Sequence, residues 1–361
     1  MDKPAPRDER TVAAPPAQRG GGRLTIRDVA RLSKVSVGTV SKALNNNGSL
    51  RQETRDRVIA VANQLGFRPN DLAQSLHRGK TFTVGLISND SFGRFTMPIM
   101  EGLEECLTDS RVAVFMANAT DDAERETQHV EQLVGKRVDG FVVTARRADR
   151  RRRLTIPGRG IPVLYVFSQT DDPEACSLLP DDEGGARLAT EHLIGLGRKR
   201  IAHVTGPERF EAVLLRRDGY RRALKAAGLP EPAGFYLAGA WSERWGREAV
   251  AQLFRGRGKA PDAIFCGNDQ IARGVIDELR DRNTAVPDAV AVVGFDNWDV
   301  MAEAARPPLT SVDMNLKELG REAGRRLLDL IAGKHLTGVH RLPCTLVIRE
   351  SCGARRSGAT P

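Results

Sequence analysis

The chain has 361 residues, a formal net charge of +9 and 40% hydrophobic residues, enough for a small module joined to one large two-lobed domain or to two domains of ordinary size. No run of eighteen apolar residues occurs, so a soluble protein without a membrane span is expected. Five cysteines, at 106, 176, 266, 344 and 352, show no CxxC pair and no zinc-like spacing with the six histidines; reduced thiols, a cytoplasmic location and no metal or other cofactor are expected.

Residues 1–23 are rich in Pro, Arg and Gly and lack the apolar core of a secretory signal, which reads as a disordered arm. The string TIRDVARLSKVSVGTVSKALN (Thr25 to Asn45) then divides into two short helices around a tight turn. Thr25 and Asp28 have capping-box spacing, which predicts a first helix from Ile26 that buries Ile26, Val29 and Ala30. Ser36 can cap a second helix, with Val40, Ala43 and Leu44 on one side and Gly38, Thr39, Ser41 and Lys42 facing a partner. Helices this short need a cover. A third, Gln52 to Leu65, supplies one with Val58, Val61, Ala62 and Leu65, although Arg51 with Ser49 nearby leaves its start open. The unit is a helix-turn-helix.

Charge is concentrated on this region. Residues 24–80 hold ten Lys and Arg against four Asp and Glu, a net +6, while the arm carries +2 and the remaining 281 residues only +1. That is the footprint of a duplex binder that neutralises phosphates and releases counterions. In the following RPNDLAQSLHRGK, Asn70 can cap a brief helix from Asp71 to Leu76 that leaves Leu76 exposed. Alone, this stretch reads first as a linker whose leucine packs on the next domain.

Joined to the helix-turn-helix, the same stretch resembles the hinge helix of the LacI/GalR family of bacterial transcription regulators. The resemblance implies that two hinge helices of a dimer enter the minor groove, where a leucine wedges between central base pairs. It also implies DNA contacts at Thr25, Ser36, Val37, Gly38, Thr39, Ser41, Lys42, Asn45, Phe67, Asn70, Ala73 and Leu76. Two departures matter. Val37 and Gly38 cannot donate a side-chain hydrogen bond to a base, so base choice leans on Thr39, Lys42 and apolar contact with thymine methyls. Lys42 stands where many relatives have arginine, and an ammonium cannot fork onto guanine.

Beyond Lys80 the rhythm changes to short β-rich runs between helix-length segments: TVGLIS, VAVFMA, GFVVT, PVLYVF, RIAHVTG, DAIFCG and AVAVVGF. Runs apolar on both sides indicate parallel sheets covered on both faces. Gly85, Gly140, Gly206 and Gly294 adjoin strands without forming a dinucleotide fingerprint or a phosphate loop. The family resemblance continues through KRVDGFVV, DDEGGARLATEHLIGLGRKRIAHVTGP, IFCGNDQIARGVI, VVGFDNWD and PPLTSVDMNLKELG, reaching from Leu24 to about Cys352.

It implies an all-α helix-turn-helix headpiece (24–69) with a hinge helix (70–80), then an α/β, two-lobed, periplasmic-binding-protein-like effector domain (81–352) and a tail (353–361). One lobe is expected at 81–181 with 309–340, the other at 182–308 with 341–352, joined by three crossovers with a ligand in the cleft. The cleft residues implied are Arg216 forking onto ligand hydroxyls or carboxylate, Asp296 accepting from sugar hydroxyls, Asn268 giving and accepting, and Trp241 and Phe95 as flat apolar walls. An aromatic face with planar polar groups suits a pyranose. Trp241 and Phe95 also read as core, and Asp296 as a helix cap.

The run RRADRRRR, Arg146 to Arg153, has no family counterpart and reads as solvated surface, or else as a site for an acidic or phosphorylated effector. No heptad leucines follow in the tail, which points to a homodimer rather than a tetramer. Three function classes remain. A ligand-responsive repressor of a pseudo-palindromic operator accounts for every segment. A transport solute-binding protein would need a secretion signal and has no use for the DNA module, and an enzyme would need a catalytic constellation, of which no motif appears.

Overall fold

Small side chains set the architecture of the first unit. In the computed structural model, which describes residues 24–44, 48–67, 81–108, 110–158, 160–255 and 260–354, the chain divides into one unit at residues 1–81 and another at 82–361. The expected arm, the hinge helix, Asn45, Asn70, Ala73 and Leu76 lie outside the described residues. Helices α1 (Ile26–Ser33), α2 (Val37–Leu44) and α3 (Gln52–Leu65) bury Val29, Ala30, Val40, Ala43, Val58 and Ala62. With only Val and Ala at the centre, the three helices approach closely and need few residues to do so.

The ends are fixed locally. The Thr25 backbone N–H and hydroxyl donate to the Asp28 carboxylate at 3.0 and 2.8 Å, and the Ser36 hydroxyl accepts from the Thr39 N–H at 3.1 Å. Lys34 and Gly66, both left-handed, end α1 and α3. Arg51 starts α3 without a side-chain cap. Ile26, expected inside, is half-buried at the edge of this core, as are Leu44, Leu65 and Phe67.

The second unit contains two six-stranded sheets. The first, ordered β13-β7-β5-β3-β1-β2, comprises β1 (Thr83–Ser88), β2 (Ala113–Asn118), β3 (Gly140–Thr144), β5 (Val163–Val166), β7 (Cys176–Pro180) and β13 (Gly338–Leu342), all parallel. The second, ordered β14-β12-β11-β10-β8-β9, comprises β8 (Ile201–Thr205), β9 (Tyr236–Ala238), β10 (Ala263–Cys266), β11 (Ala291–Phe295), β12 (Thr310–Asp313) and β14 (Thr345–Val347). Among the described residues only β14 runs antiparallel. Two short strands, β4 (Arg150–Arg151) and β6 (Gln169–Thr170), pair beside the first sheet. Strands β3, β8, β10 and β11 are buried at every residue, as parallel strands covered on both faces must be.

The helices between them are α4 (Thr96–Thr108), α5 (Ala123–Gly135), α6 (Asp182–Gly195), α7 (Glu211–Ala226), α8 (Glu243–Leu253), α9 (Asp269–Asp281), the short α10 (Asp299–Ala302) and α11 (Leu316–Ile331). The chain crosses between sheets after β7, after β12 and after β13. This corrects the expected lobe boundaries. Thr310–Asp313 pairs with β11 in the second sheet, so the second crossing follows Asp313 rather than preceding Leu309; Leu342 pairs with Pro180 in the first sheet, so the third follows Leu342. The Pro307-Pro308 pair reads as a boundary in sequence, yet it only introduces a buried strand. Among the described residues no helix is long and apolar enough to cross a membrane.

Helices α4 and α11 cross at glycines from both sides. A Cβ on Gly102 would lie 1.9 Å from the Lys317 carbonyl oxygen, and one on Gly320 would lie 2.0 Å from that of Ile99. Backbone cannot yield as a flexible side chain can. Gly102→Ala and Gly320→Ala should therefore each destabilise the protein by about 1–3 kcal/mol through overpacking, measurable as a lower urea midpoint; an unchanged midpoint would show that the crossing relaxes freely.

Candidate functional site

The first candidate surface is α2. Val37 is 42% exposed, with Gly38 and Lys42 also at the surface, while Thr39 and Ser41 are half-buried. Ser36 shares its hydroxyl with that of Thr39 at 3.0 Å, which fixes the first turn. Exposed Arg27, Arg31, Lys34, Arg51 and Arg57 surround this small unit. Thr25 is exposed but committed to Asp28. Phe67 packs against the headpiece core, and its N–H donates to the Ala62 carbonyl.

The second candidate surface lies between the two sheets, at the carboxyl ends of their strands, where open α/β sheets bind ligands. Asp296 follows β11 with φ 103°, a left-handed conformation that costs a non-glycine residue of order 1–3 kcal/mol. The fold thus holds this carboxylate in place against local preference. It is buried and meets two arginines, Arg94 from the loop before α4 and Arg216 from α7, the latter at 3.8 Å. Burial raises its pKa, against the pull of Arg94 and then Arg216.

Arg216 was expected to fork onto a ligand. Its Nε and Nη2 instead fork onto Asp182 at 2.8 and 2.7 Å, its Nη1 donates to the Gly267 carbonyl, and its guanidinium covers Phe295 at 3.7 Å. Asn268 is likewise engaged. Its side-chain oxygen caps α9 by accepting from the Ile271 N–H at 2.9 Å, which leaves the amide NH2 to donate. Asp296 is not a cap; Trp298 occupies that position before α10.

Phe95 stacks on Phe167 at 4.9 Å and faces a cavity of about 450 Å³ with Arg94, Asp296, Trp298, Met314 and Leu316. That volume lies within the usual range for small-molecule sites. Trp241 is not among the residues lining it. It lies half-buried beside Phe210, 6.5 Å between ring centroids, at a separate part of the cleft. The structure thus brings Phe95 and Asp296 together and sets Trp241 apart.

Several participants went unread in the sequence. Arg94 and Trp298 stack at 4.3 Å. Asp269 accepts from the Ser311 hydroxyl and, at 2.7 Å, from the Trp298 N–H; burial, then the neighbouring Asp296, pushes its pKa up to about 8. Burial also raises Asp182, against the pull of Arg216. The buried hydroxyls of Ser168 and Thr205 have no hydrogen-bond partner among the described residues. Arg94 adjoins Phe95 and Trp298 ends the VVGFDNW string, so proximity was the available signal.

The Arg146 to Arg153 run is matched by carboxylates: Arg146 with Asp121 at 2.7 Å, Arg147 with Asp149 at 3.6 Å, Arg150 with Asp171 at 2.9 Å, Arg151 with Glu126, and Arg153 with Asp172 at 2.6 Å. Arg147 also covers Phe210 at 4.8 Å. The Glu211 carboxylate accepts from Gln169 at 2.6 Å, and its N–H donates to Asp149 at 3.2 Å, so this side of the cleft is bridged as well.

Both units of the chain are similar to known proteins. Residues 25–70 match the sequence profile of bacterial regulatory proteins of the lacI family, and residues 190–352 that of a periplasmic binding protein-like domain. Catabolite control protein A of Priestia megaterium is 32% identical over 330 residues, 91% of this chain and 99% of that protein. The ribose operon repressor of Escherichia coli K12 is 32% identical over 327 residues, 90% of this chain and 98% of that one. Among solved structures, the lac repressor dimer bound to operator and the anti-inducer ONPF superposes with TM-score 0.71 at 25% identity, covering 92% of this chain and 100% of that one. The transcriptional regulator CelR in complex with cellobiose gives 0.63 at 30% identity, covering 91% and 100%. With relatives this similar over nine-tenths of its length, the chain belongs to the LacI family of bacterial transcriptional regulators.

Proposed function

We infer that the protein is a transcriptional repressor that binds a pseudo-palindromic operator as a homodimer, and that a neutral sugar held between the lobes tunes that binding. The observation that carries this reading is a single chain joining a basic helix-turn-helix to a two-lobed unit in which Asp296 faces an aromatic-lined cavity. Relatives named as repressors of a ribose operon and as bound to cellobiose or to operator support the same assignment. A transport protein or an enzyme leaves the headpiece unexplained. Work on chromosomal DNA would place it in the cytoplasm.

Two features favour a homodimer and a neutral effector. Strand β2 is an edge of the first sheet, with Phe115 and Met116 42% and 38% exposed, a surface that soluble proteins usually cover. In the cleft, Arg94 and Arg216 face the carboxylates of Asp182 and Asp296, while Asp269 holds its proton near neutral pH. An acidic effector would upset that balance, and five of the six arginines of the 146–153 run are already paired with carboxylates. Asp296 can accept from sugar hydroxyls, while Asn268 and Arg216 do not line the cavity.

Operator affinity should fall steeply as salt rises, with two chains per duplex, by fluorescence anisotropy on a selected operator. Lys42→Ala should relax base preference within each half-site, by about 1–3 kcal/mol of discrimination. One chain per duplex, or indifference to salt, would contradict the reading.

Calorimetry with neutral mono- and disaccharides tests the cleft. Asp296→Ala should weaken the tightest of them about tenfold or more, the cost of an unpartnered buried group, and leave operator binding intact. Equal affinity in wild type and variant would remove Asp296 from the site.

The charge balance also predicts a pH dependence. With a folded pKa of about 8 against about 3.9 for an unfolded aspartate, Asp269 binds a proton in the folded state that the unfolded chain has released. Stability should therefore fall as pH rises from about 4 to about 8. Thermal melts across this range should show the decline, and Asp269→Asn should flatten it. A melting temperature that climbs toward alkaline pH would show Asp269 ionised in the fold.

A further inference from the structure

Arg94 belongs to the first lobe, yet its guanidinium donates to groups of the second: the Asp296 carboxylate and, at 3.5 Å, the side-chain oxygen of Gln270. Its flat faces meet Phe95 at 4.9 Å and Trp298 at 4.3 Å. A planar cation in contact with two aromatic rings, with one edge on a carboxylate, is a filled recognition site rather than a surface ion pair. The side chain is only 15% exposed and Asp296 only 6%. Arg94 holds one oxygen of Asp296, while the other lies 3.8 Å from Arg216, beyond hydrogen-bond distance.

We propose that Arg94 is an internal competitor of the effector: it ties the two lobes together on one oxygen of Asp296, and a sugar that engages both oxygens of that carboxylate must displace the guanidinium. The proposal rests on the assignment of a sugar to this cleft and adds a residue that sets which sugars succeed. A successful ligand must replace both what the guanidinium donates and what it stacks on. That requires hydroxyls for Asp296 together with an apolar ring face between Phe95 and Trp298. Open-chain polyols supply the hydroxyls without the face, so Arg94 filters for ring-form saccharides. Arg216 cannot play this part, because its donors are committed to Asp182 and Gly267.

The test uses the full-length protein, with Arg94→Ala and Arg94→Gln as independent variants. Removal of the side chain should leave a vacant slot beside Asp296 that accepts methylguanidinium, read as a saturable change in Trp298 fluorescence against a Trp298→Phe control. Wild type and the Arg94→Ala/Asp296→Asn double variant should not respond. Any neutral mono- or disaccharide that binds wild type should bind Arg94→Ala about tenfold or more tightly, while sorbitol, excluded by wild type, should gain measurable affinity. No saturable methylguanidinium response in either variant would overturn the proposal. So would a saccharide that binds wild type and both variants equally. If methylguanidinium saturates the variants but no saccharide binds any form, the latch stands and the assignment of a sugar to the cleft fails instead.

Discussion

A line of alternating charges crosses the cleft: Asp182, Arg216, Asp296, Arg94. Buried charges are tolerated only in pairs with their hydrogen bonds met, and loss of one partner strands the other at a cost of about 3–5 kcal/mol. Each member comes from a different segment. Asp182 opens α6 just past the first crossover, Arg216 lies within α7, Asp296 follows β11 and Arg94 precedes α4. The ends of these four segments must therefore hold their positions relative to one another, a demand that a fork-shaped guanidinium meets and a lysine would not.

Sheet direction makes this convergence possible. Because the strands of both lobes are parallel apart from β14, their carboxyl ends all lie at one edge of each sheet, and the loops leaving those edges carry the polar groups. Residues more than two hundred positions apart, such as Arg94 and Asp296, can then share one site. The glycine crossings of α4 with α11 serve the same end from outside. They bring α11 against the first lobe immediately after the chain has left the second at Asp313, so the crossover adjoins a tightly packed surface.

What was legible in the sequence follows from the range of the interactions involved. The headpiece helices were readable because caps, turns and apolar spacing act within four residues; α3 spans Gln52–Leu65 as its pattern required. The seven apolar runs are all strands; burial on both faces accounts for the composition of the inner ones, whereas β2, also read as covered, is a largely exposed edge strand. The weaker strands β7, β9, β12, β13 and β14 were missed, and the lobe boundaries with them, because short or polar stretches such as GVHRL become strands only through a neighbour. The site divides the same way. Asp296 and Phe95 could be placed by motif, but that Arg216 is spent on Asp182, that Asn268 caps α9 and that Arg94 spans the cleft are long-range facts that no local spacing encodes.

The two cleft arginines differ in a way that bears on signalling. Arg216 is enclosed, with Asp182, Gly267 and Phe295 around its guanidinium, so moving it would leave a buried carboxylate alone. Arg94 is more exposed than Arg216, 15% against 6%, and makes one charged contact where Arg216 makes two, so it is the easier of the two to release. A ligand becomes a signal only through different affinities for two conformations. Because displacing Arg94 removes a contact between the lobes at the moment the ligand adds its own, the ligand need not favour one conformation through its contacts alone. The bond it breaks contributes to the difference, and a fixed cation at the same place would contribute nothing.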